Sequence, residues 1–354
     1  MKVVFYVRAN HEEVKGGDLV QLESTAEGLR RLGVTVDFSS DAQADLSAYD
    51  LVHLFNSPRF SETISFLENA QRQHKPAAFS TIFWGKDELG VGVASSSKVR
   101  LAKKYIGVKP SVWAWGTLKG LNRFKAGSNY SLERRLFLEA DILLPNSDGE
   151  MREINRVYKV GRRPFHSVRN AIDFKMYEPE PGTERKDYVL SVGRVEGRKN
   201  SLELIEACHE AGLHLVLIGG IAKGQPYEDR CLELIEQYGF EYLGLMKPAD
   251  IAAKYYYEAR VHAIAAWYET PGLASMEAAC GGCTIVSTDR GSTKEYFDDL
   301  VYYCDPFSRP SIVRALKAAM AAPPDFRLRA KIMKNYTWDG AAHDTLAAYK
   351  ELLG

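Results

Sequence analysis

The chain has 354 residues, 45% hydrophobic and 26% charged, with 46 Lys+Arg against 46 Asp+Glu. This is the composition of an ordinary globular protein, with length for two domains. No window of about 18 apolar residues occurs, so no spanning helix is expected, and no nucleic-acid partner is expected either.

In chain order, "MKVVFYVRAN" has one lysine, a run of five apolar residues and no small-residue cleavage site. It reads as a first buried strand and not as a signal peptide. "VKGGDL" follows as a glycine turn into a helix, where Gly16 and Gly17 allow a ligand to approach the backbone closely. Leu19, Leu22, Ala26 and Leu29 give that helix one apolar side, and Gly33 ends it. "TVDF", "DLVHLF", "AAFSTIF" and "ADILLPNS" read as further strands with helical stretches between them. Asn146 and Ser147 are placed to cap the helix "DGEMREINRVY". A lone histidine at a strand end, such as His53, is more often a satisfied core group than a ligand.

Charge is uneven along the chain. Residues 1–170 carry 25 Lys+Arg and 19 Asp+Glu, whereas residues 171–354 carry 21 and 27. The excess concentrates in residues 98–135, which hold ten Lys+Arg, one acid (Glu133) and the tryptophans Trp113 and Trp115. A solvated face, a groove for an anionic polysaccharide and an interfacial membrane contact all have this composition.

After the turn-rich "YEPEPGTERKD" the alternation restarts. Strand "YVLSVG", helix "NSLELIEACHEAG", strand "LHLVLIGG", helix "EDRCLELIEQYG" and strand "FEYLG" come first. Helix "DIAAKYYYEAR", strand "VHAIAA", a helix within "WYETPGLASMEAACGG" and strand "TIVST" follow. Short apolar strands alternating with helices predict parallel sheets covered on both faces, in two Rossmann-like series joined near residues 175–187. Ligand sites then belong beyond the carboxyl ends of the strands.

"SVGRVEGRKN" lies at such a place, and Arg194 and Lys199 form a natural pair of cations for a diphosphate. The stretch is not G-x-G-x-x-G, so a nicotinamide site is poorly supported. In "WYETPGLASMEAACGG" two glutamates, Glu269 and Glu277, stand eight positions apart. Thr270 is a candidate N-cap and Pro271 a candidate first helical residue. The amides of Gly272 and Leu273 would then be free to meet an anion. A glutamate among Leu273, Met276, Ala278 and Ala279 needs a partner, and an arginine is the simple structural choice. Cys280-Gly-Gly-Cys283 matches C-x-x-C, but a glycine-capped helix end before a strand explains it more simply. Five cysteines, an odd count, favour reduced thiols and a cytosolic setting. No H-x-x-x-H spacing or Asp-x-Asp pair suggests a metal site.

Together these segments resemble the nucleotide-sugar-dependent glycosyltransferases of family GT4 (glycosyltransferase group 1) over essentially the whole chain. The matching elements are Gly16-Gly17, Asn146-Ser147, Asn170 to Asp173, Val192 to Val195 with Lys199, Glu269 with Glu277, and Gly282 through Glu295. The last segment, "YTWDGAAHDTLAAYKELL", is similar to the family's terminal helix, which crosses back to the first domain.

The resemblance implies an α/β, GT-B fold of two Rossmann-like domains facing a central cleft. Residues 1–172 would form the acceptor-side domain, 173–337 the nucleotide-sugar domain, and helix 338–354 would pack on the first. It implies a cytoplasmic retaining hexosyltransferase that needs no metal or cofactor. Catalysis would fall to Glu269, Arg194 and Lys199, and substrate binding to Gly16, Gly17, Gly272, Leu273 and Glu277. Glu277 would accept ribose hydroxyls. The partners implied are a nucleotide sugar, UDP- or GDP-linked, and a glycan, lipid-linked or small-molecule acceptor, with peripheral membrane contact through residues 98–135. Phe83 and Phe55 stand where the family often has histidine, and "ETPGL" replaces "EgfGl". A non-catalytic nucleotide-sugar-binding protein and a nucleotide-sugar epimerase on the same fold remain alternatives.

Overall fold

Runs that are apolar at nearly every position, such as Leu51–Phe55, form strands buried on both faces, as parallel sheets between helix layers require. The computed structural model describes residues 1–7, 17–83, 85, 110, 128–177 and 184–354. They fall into two compact units that part between Ala171 and Ile172, with Gly85 and Pro110 counted in the second and the chain end from Tyr336 returning to the first.

The first unit has five parallel strands: β1 (Lys2–Tyr6), β2 (Thr35–Ser39), β3 (Leu51–Phe55), β4 (Ala77–Ser80) and β5 (Ile142–Leu144). Their order is β2-β1-β3-β4-β5, so the chain reverses its direction of growth between β1 and β3. Side chains alternate between faces. Val4, Tyr6, Val52 and Leu54 face α2 (Phe60–Arg72), α3 (Asn129–Glu139) and α4 (Asp148–Tyr158). Val3, Phe5, Leu51 and Phe55 face α1 (Gly17–Arg31) and the terminal helix Trp338–Leu353. The terminal helix approaches α1 so closely that a Cβ on Gly28 would stand 2.6 Å from that of Ala342.

The second unit holds β6 (Lys186–Val192), β7 (His214–Ile218), β8 (Glu241–Tyr242), β9 (Ala259–Ile264), β10 (Thr284–Thr288) and β11 (Tyr302–Cys304). All pair in parallel in the order β11-β10-β9-β6-β7-β8. This is the dinucleotide-fold order, with its reversal between β6 and β9. Helices α5 (Ser201–Ala211), α6 (Pro226–Gln237), α7 (Leu273–Cys280), α8 (Thr293–Phe297), α9 (Arg309–Ala321) and α10 (Arg327–Asn335) accompany it.

Several expected elements differ in detail. "FEYLG" contributes only two strand residues. "DIAAKYYYEAR" contains a π-helical turn, Ile251–Tyr255, and the following strand begins at Ala259, so Ala259 and Arg260 belong to β9. Ser147 alone caps α4, accepting the Glu150 amide, while Asn146 accepts Gln21 Nε2 at 2.8 Å. Strand β11 and helices α9 and α10 lie beyond the alternation read from the sequence. Among the described residues no helix is long and apolar enough to cross a membrane.

His53 is wholly buried in β3, with Nδ1 2.5 Å from the Tyr349 hydroxyl and Nε2 2.8 Å from Ser80 Oγ. Burial pulls its pKa down to about 3, so it is a neutral core group joining the sheet to the terminal helix. Tyr349→Phe should therefore strand one buried ring nitrogen and destabilise the protein by about 1–3 kcal/mol. Urea denaturation should report it as a lower midpoint at unchanged slope; an unaltered midpoint would contradict the role.

Candidate active site

The carboxyl ends of β6 and β9 flank the reversal in the second sheet. Beyond β6, Gly193 (φ +153°) turns the chain, its amide donating to Ile218 O at 2.8 Å. Gly219 faces it so closely that a Cβ there would lie 2.0 Å from Gly193 O. Only glycine fits such an approach. The loop then presents Arg194 and a short turn, Gly197–Lys199, before α5. Trp267, just past β9, fixes that turn by donating from its ring nitrogen to Gly197 O at 3.0 Å.

Lys199 Nζ meets Glu269 Oε1 at 2.6 Å, with side-chain exposures of 17% and 7%. Burial pulls the Lys199 ammonium below the usual lysine range, and the Glu269 charge opposes that shift. Glu269 is pinned through its backbone. Its carbonyl accepts from Ser292 N at 2.9 Å, and a Cβ on Gly291 would stand 2.0 Å from that oxygen. Arg194 and Lys199 line one small open pocket. Arg194 itself is 64% exposed, with Glu196 at 3.7 Å.

Helix α7 begins at Leu273, two residues later than Thr270 and Pro271 suggested. Gly272 is its N-cap in a left-handed conformation (φ 93°, ψ 74°), which takes Thr270 out of capping position, and no side chain caps the helix. The Gly272 and Leu273 amides take no acceptor among the described residues. They point to the positive end of the helix, where an anion is stabilised. Glu277, one turn and more along, does not meet an arginine. Tyr256 donates its hydroxyl to Oε2 at 2.8 Å, and the Tyr177 phenol also favours the charged form of the same carboxylate. Burial raises the Glu277 pKa and the two phenols oppose that rise.

The structure thus brings together Lys199, Glu269, Arg194 and the Gly272–Leu273 helix start, with Glu277 on the same helix. Gly17 lies in the first unit, as the exposed first residue of α1, while Gly16 lies outside the described residues. So do residues 98–109 and 111–127 of the basic segment. Of its described remainder, Arg134 donates to Tyr158 O and Arg135 to Glu139 and Glu68. Cys280 and Cys283 are buried free thiols pushed up to about 12, unsuited to redox chemistry.

Sequence reading missed Tyr177 and Tyr256, as well as His262. The imidazole is wholly buried in β9 and held neutral near pKa 3, first by burial and then by the Lys199 charge. The run "YYYEAR" hinted at Tyr256, but nothing in it says which of three tyrosines reaches Glu277.

The Lys199–Glu269 pair yields a stability expectation. Lys199→Met leaves a largely buried carboxylate alone and should cost about 3–5 kcal/mol. Adding Glu269→Gln should recover much of that loss in urea denaturation. A single variant as stable as the parent would show that the pair is not coupled.

Residues 174–337 match the family described as Glycosyl transferases group 1. A Campylobacter jejuni N-acetylgalactosamine-N,N'-diacetylbacillosaminyl-diphospho-undecaprenol 4-alpha-N-acetylgalactosaminyltransferase is 28% identical over 186 residues. That match covers 50% of this chain and only 50% of the relative. The sucrose-phosphate synthase of Thermosynechococcus elongatus shares the fold with a TM-score of 0.76 at 14% identity, over 99% of this chain and 98% of that one. Anabaena HepE in complex with UDP and glucose aligns with a TM-score of 0.64 at 15% identity, over 99% and 100%. With the two parallel sheets described above, these likenesses make the architecture GT-B, and residues 174–337 belong to the group 1 glycosyltransferase family.

Proposed function

We propose that the protein is a retaining, metal-independent glycosyltransferase. It would move a hexose-type sugar from a UDP- or GDP-sugar to a saccharide, lipid-linked or small-molecule hydroxyl. The observation that favours this most is the Lys199–Glu269 pair at the reversal of the second sheet, beside Arg194 and an uncapped helix start. Cations and helix amides suit a diphosphate, and a carboxylate within reach of them suits the sugar.

In this reading the bond from sugar C1 to the diphosphate oxygen breaks while the acceptor oxygen bonds C1 on the same face. The acceptor proton passes to the departing phosphate oxygen, so no side chain need act as a strong base. Negative charge grows on the leaving group, and Arg194 and Lys199 stabilise it there. Lys199 has three donors and Glu269 uses one, so it can serve both partners. Glu269 carries the charge that faces the developing oxocarbenium ion. Glu277 has lone pairs left after its two phenols and takes the ribose hydroxyls. Work in the cytoplasm, with residues 98–135 touching the membrane surface, completes the reading; neutralising Lys103, Lys104, Arg123 and Lys125 would then abolish sedimentation with anionic liposomes at low salt.

Glu269→Gln should lower kcat on the order of 10²–10³ while nucleotide diphosphate affinity holds or tightens, because Lys199 loses its competing carboxylate. Steady-state rates and calorimetry of UDP and GDP decide it, and activity within twofold of the parent would sink the role. EDTA should leave turnover unchanged; strict dependence on Mg²⁺ or Mn²⁺ would refute the metal-independent part. Slow release of free sugar from the donor when acceptor is withheld separates the transferase from a protein that only binds nucleotide sugar.

A further inference from the structure

The first sheet has its own reversal, between β1 and β3, and a small open cleft lies at the carboxyl ends of those strands. The position is where open α/β sheets collect ligands. Tyr6, Leu22, Phe55 and Phe66 form its walls, with Tyr6 and Phe66 stacked at 4.2 Å. Asn56, Arg59 and Glu62 supply the polar groups. Asn56 is held at φ 75°, ψ 84°, an uncommon backbone state for a residue other than glycine.

Arg59 is the uncommitted member of this set. Asn56 and Glu62 already have partners. Thr63 Oγ1 is turned to the backbone carbonyls of Phe55 and Arg59. The half-buried Arg59 guanidinium has no acceptor among the described residues and does not pair with Glu62, although the two stand three residues apart. A guanidinium carries five donors in a fork that fits carboxylate and phosphate oxygens. Held at the edge of an aromatic cavity with none of them used, it is complementary to an anion joined to a body with some apolar surface, and a sugar ring has both hydroxyls and apolar faces.

We propose that this cavity binds the acceptor and that Arg59 selects an acceptor bearing a phosphate or carboxylate group, with hydroxyls of its sugar ring reaching Glu62. Calling the ligand an acceptor rests on the glycosyltransferase reading above; the anion selectivity does not. The anion has two sources, a soluble sugar phosphate or sugar acid and the diphosphate of a lipid-linked sugar.

The test compares the parent with Arg59→Gln and Arg59→Lys by calorimetry and thermal shift. The probes are methyl glucoside, glucose 6-phosphate, glucuronate, a short-chain polyprenyl-diphosphate sugar in detergent, and UDP. The parent should bind at least one anionic probe roughly 10- to 100-fold better than the neutral glucoside. Arg59→Gln should erase that gap, and Arg59→Lys should restore part of it. UDP affinity and donor hydrolysis should be the same in all three proteins. Preference for a soluble probe or for the diphosphate sugar supports the proposal and identifies the source. Equal binding of neutral and anionic probes by the parent would overturn it. So would a loss of UDP affinity in Arg59→Gln, which would assign Arg59 to the donor. Anion selectivity without donor hydrolysis or UDP binding would refute the transferase reading and leave the selectivity of the cavity standing.

Discussion

The site depends on one buried ion pair. Lys199 and Glu269 come from different strand ends, 70 residues apart in sequence, and meet at 2.6 Å with little exposure. Bringing two charges out of water costs several kcal/mol each, which mutual attraction offsets only where geometry is good. Here the geometry is enforced from outside the pair. Trp267 fixes the turn that carries Lys199, and the close contact of Gly291 with the Glu269 carbonyl fixes the other partner. Replacing such a pair by apolar groups of similar volume is often neutral or stabilising, so stability alone does not account for charge at this spot.

The two glutamates of the same segment solve the cost of burial differently. Glu269 has a cation, so the pair is neutral as a whole. Glu277 has the Tyr256 hydroxyl, which donates a hydrogen bond without cancelling its charge, and the Tyr177 phenol acts on it in the same direction.

Both units apply the same topological rule. Each parallel sheet reverses its growth once, and each reversal opens a crevice at the carboxyl ends of two strands. In the second unit that crevice holds cations and helix amides. In the first it is an aromatic cavity with a single uncommitted guanidinium. The first unit also converts the one histidine of its central strand into structure, since His53 is enclosed by Tyr349 and Ser80.

How much of this was legible beforehand follows from the range of each interaction. Strand runs, helix periods and glycine turns are local, and they determined the alternating α/β pattern, the two series and the placement of Arg194, Lys199 and Glu269 at strand ends. Local chemistry misled at Thr270-Pro271, where Gly272 in a left-handed conformation sets the helix start instead. The reading stopped short of β11, α9 and α10, of which β11 and α9 pack into the core of the second unit. The partners of Glu277 and of His53, the burial of His262, and the availability of Arg59 were decided by tertiary structure alone. Each depends on which side chain from a distant segment fills the space beside a charge, and sequence spacing carries no record of that distance.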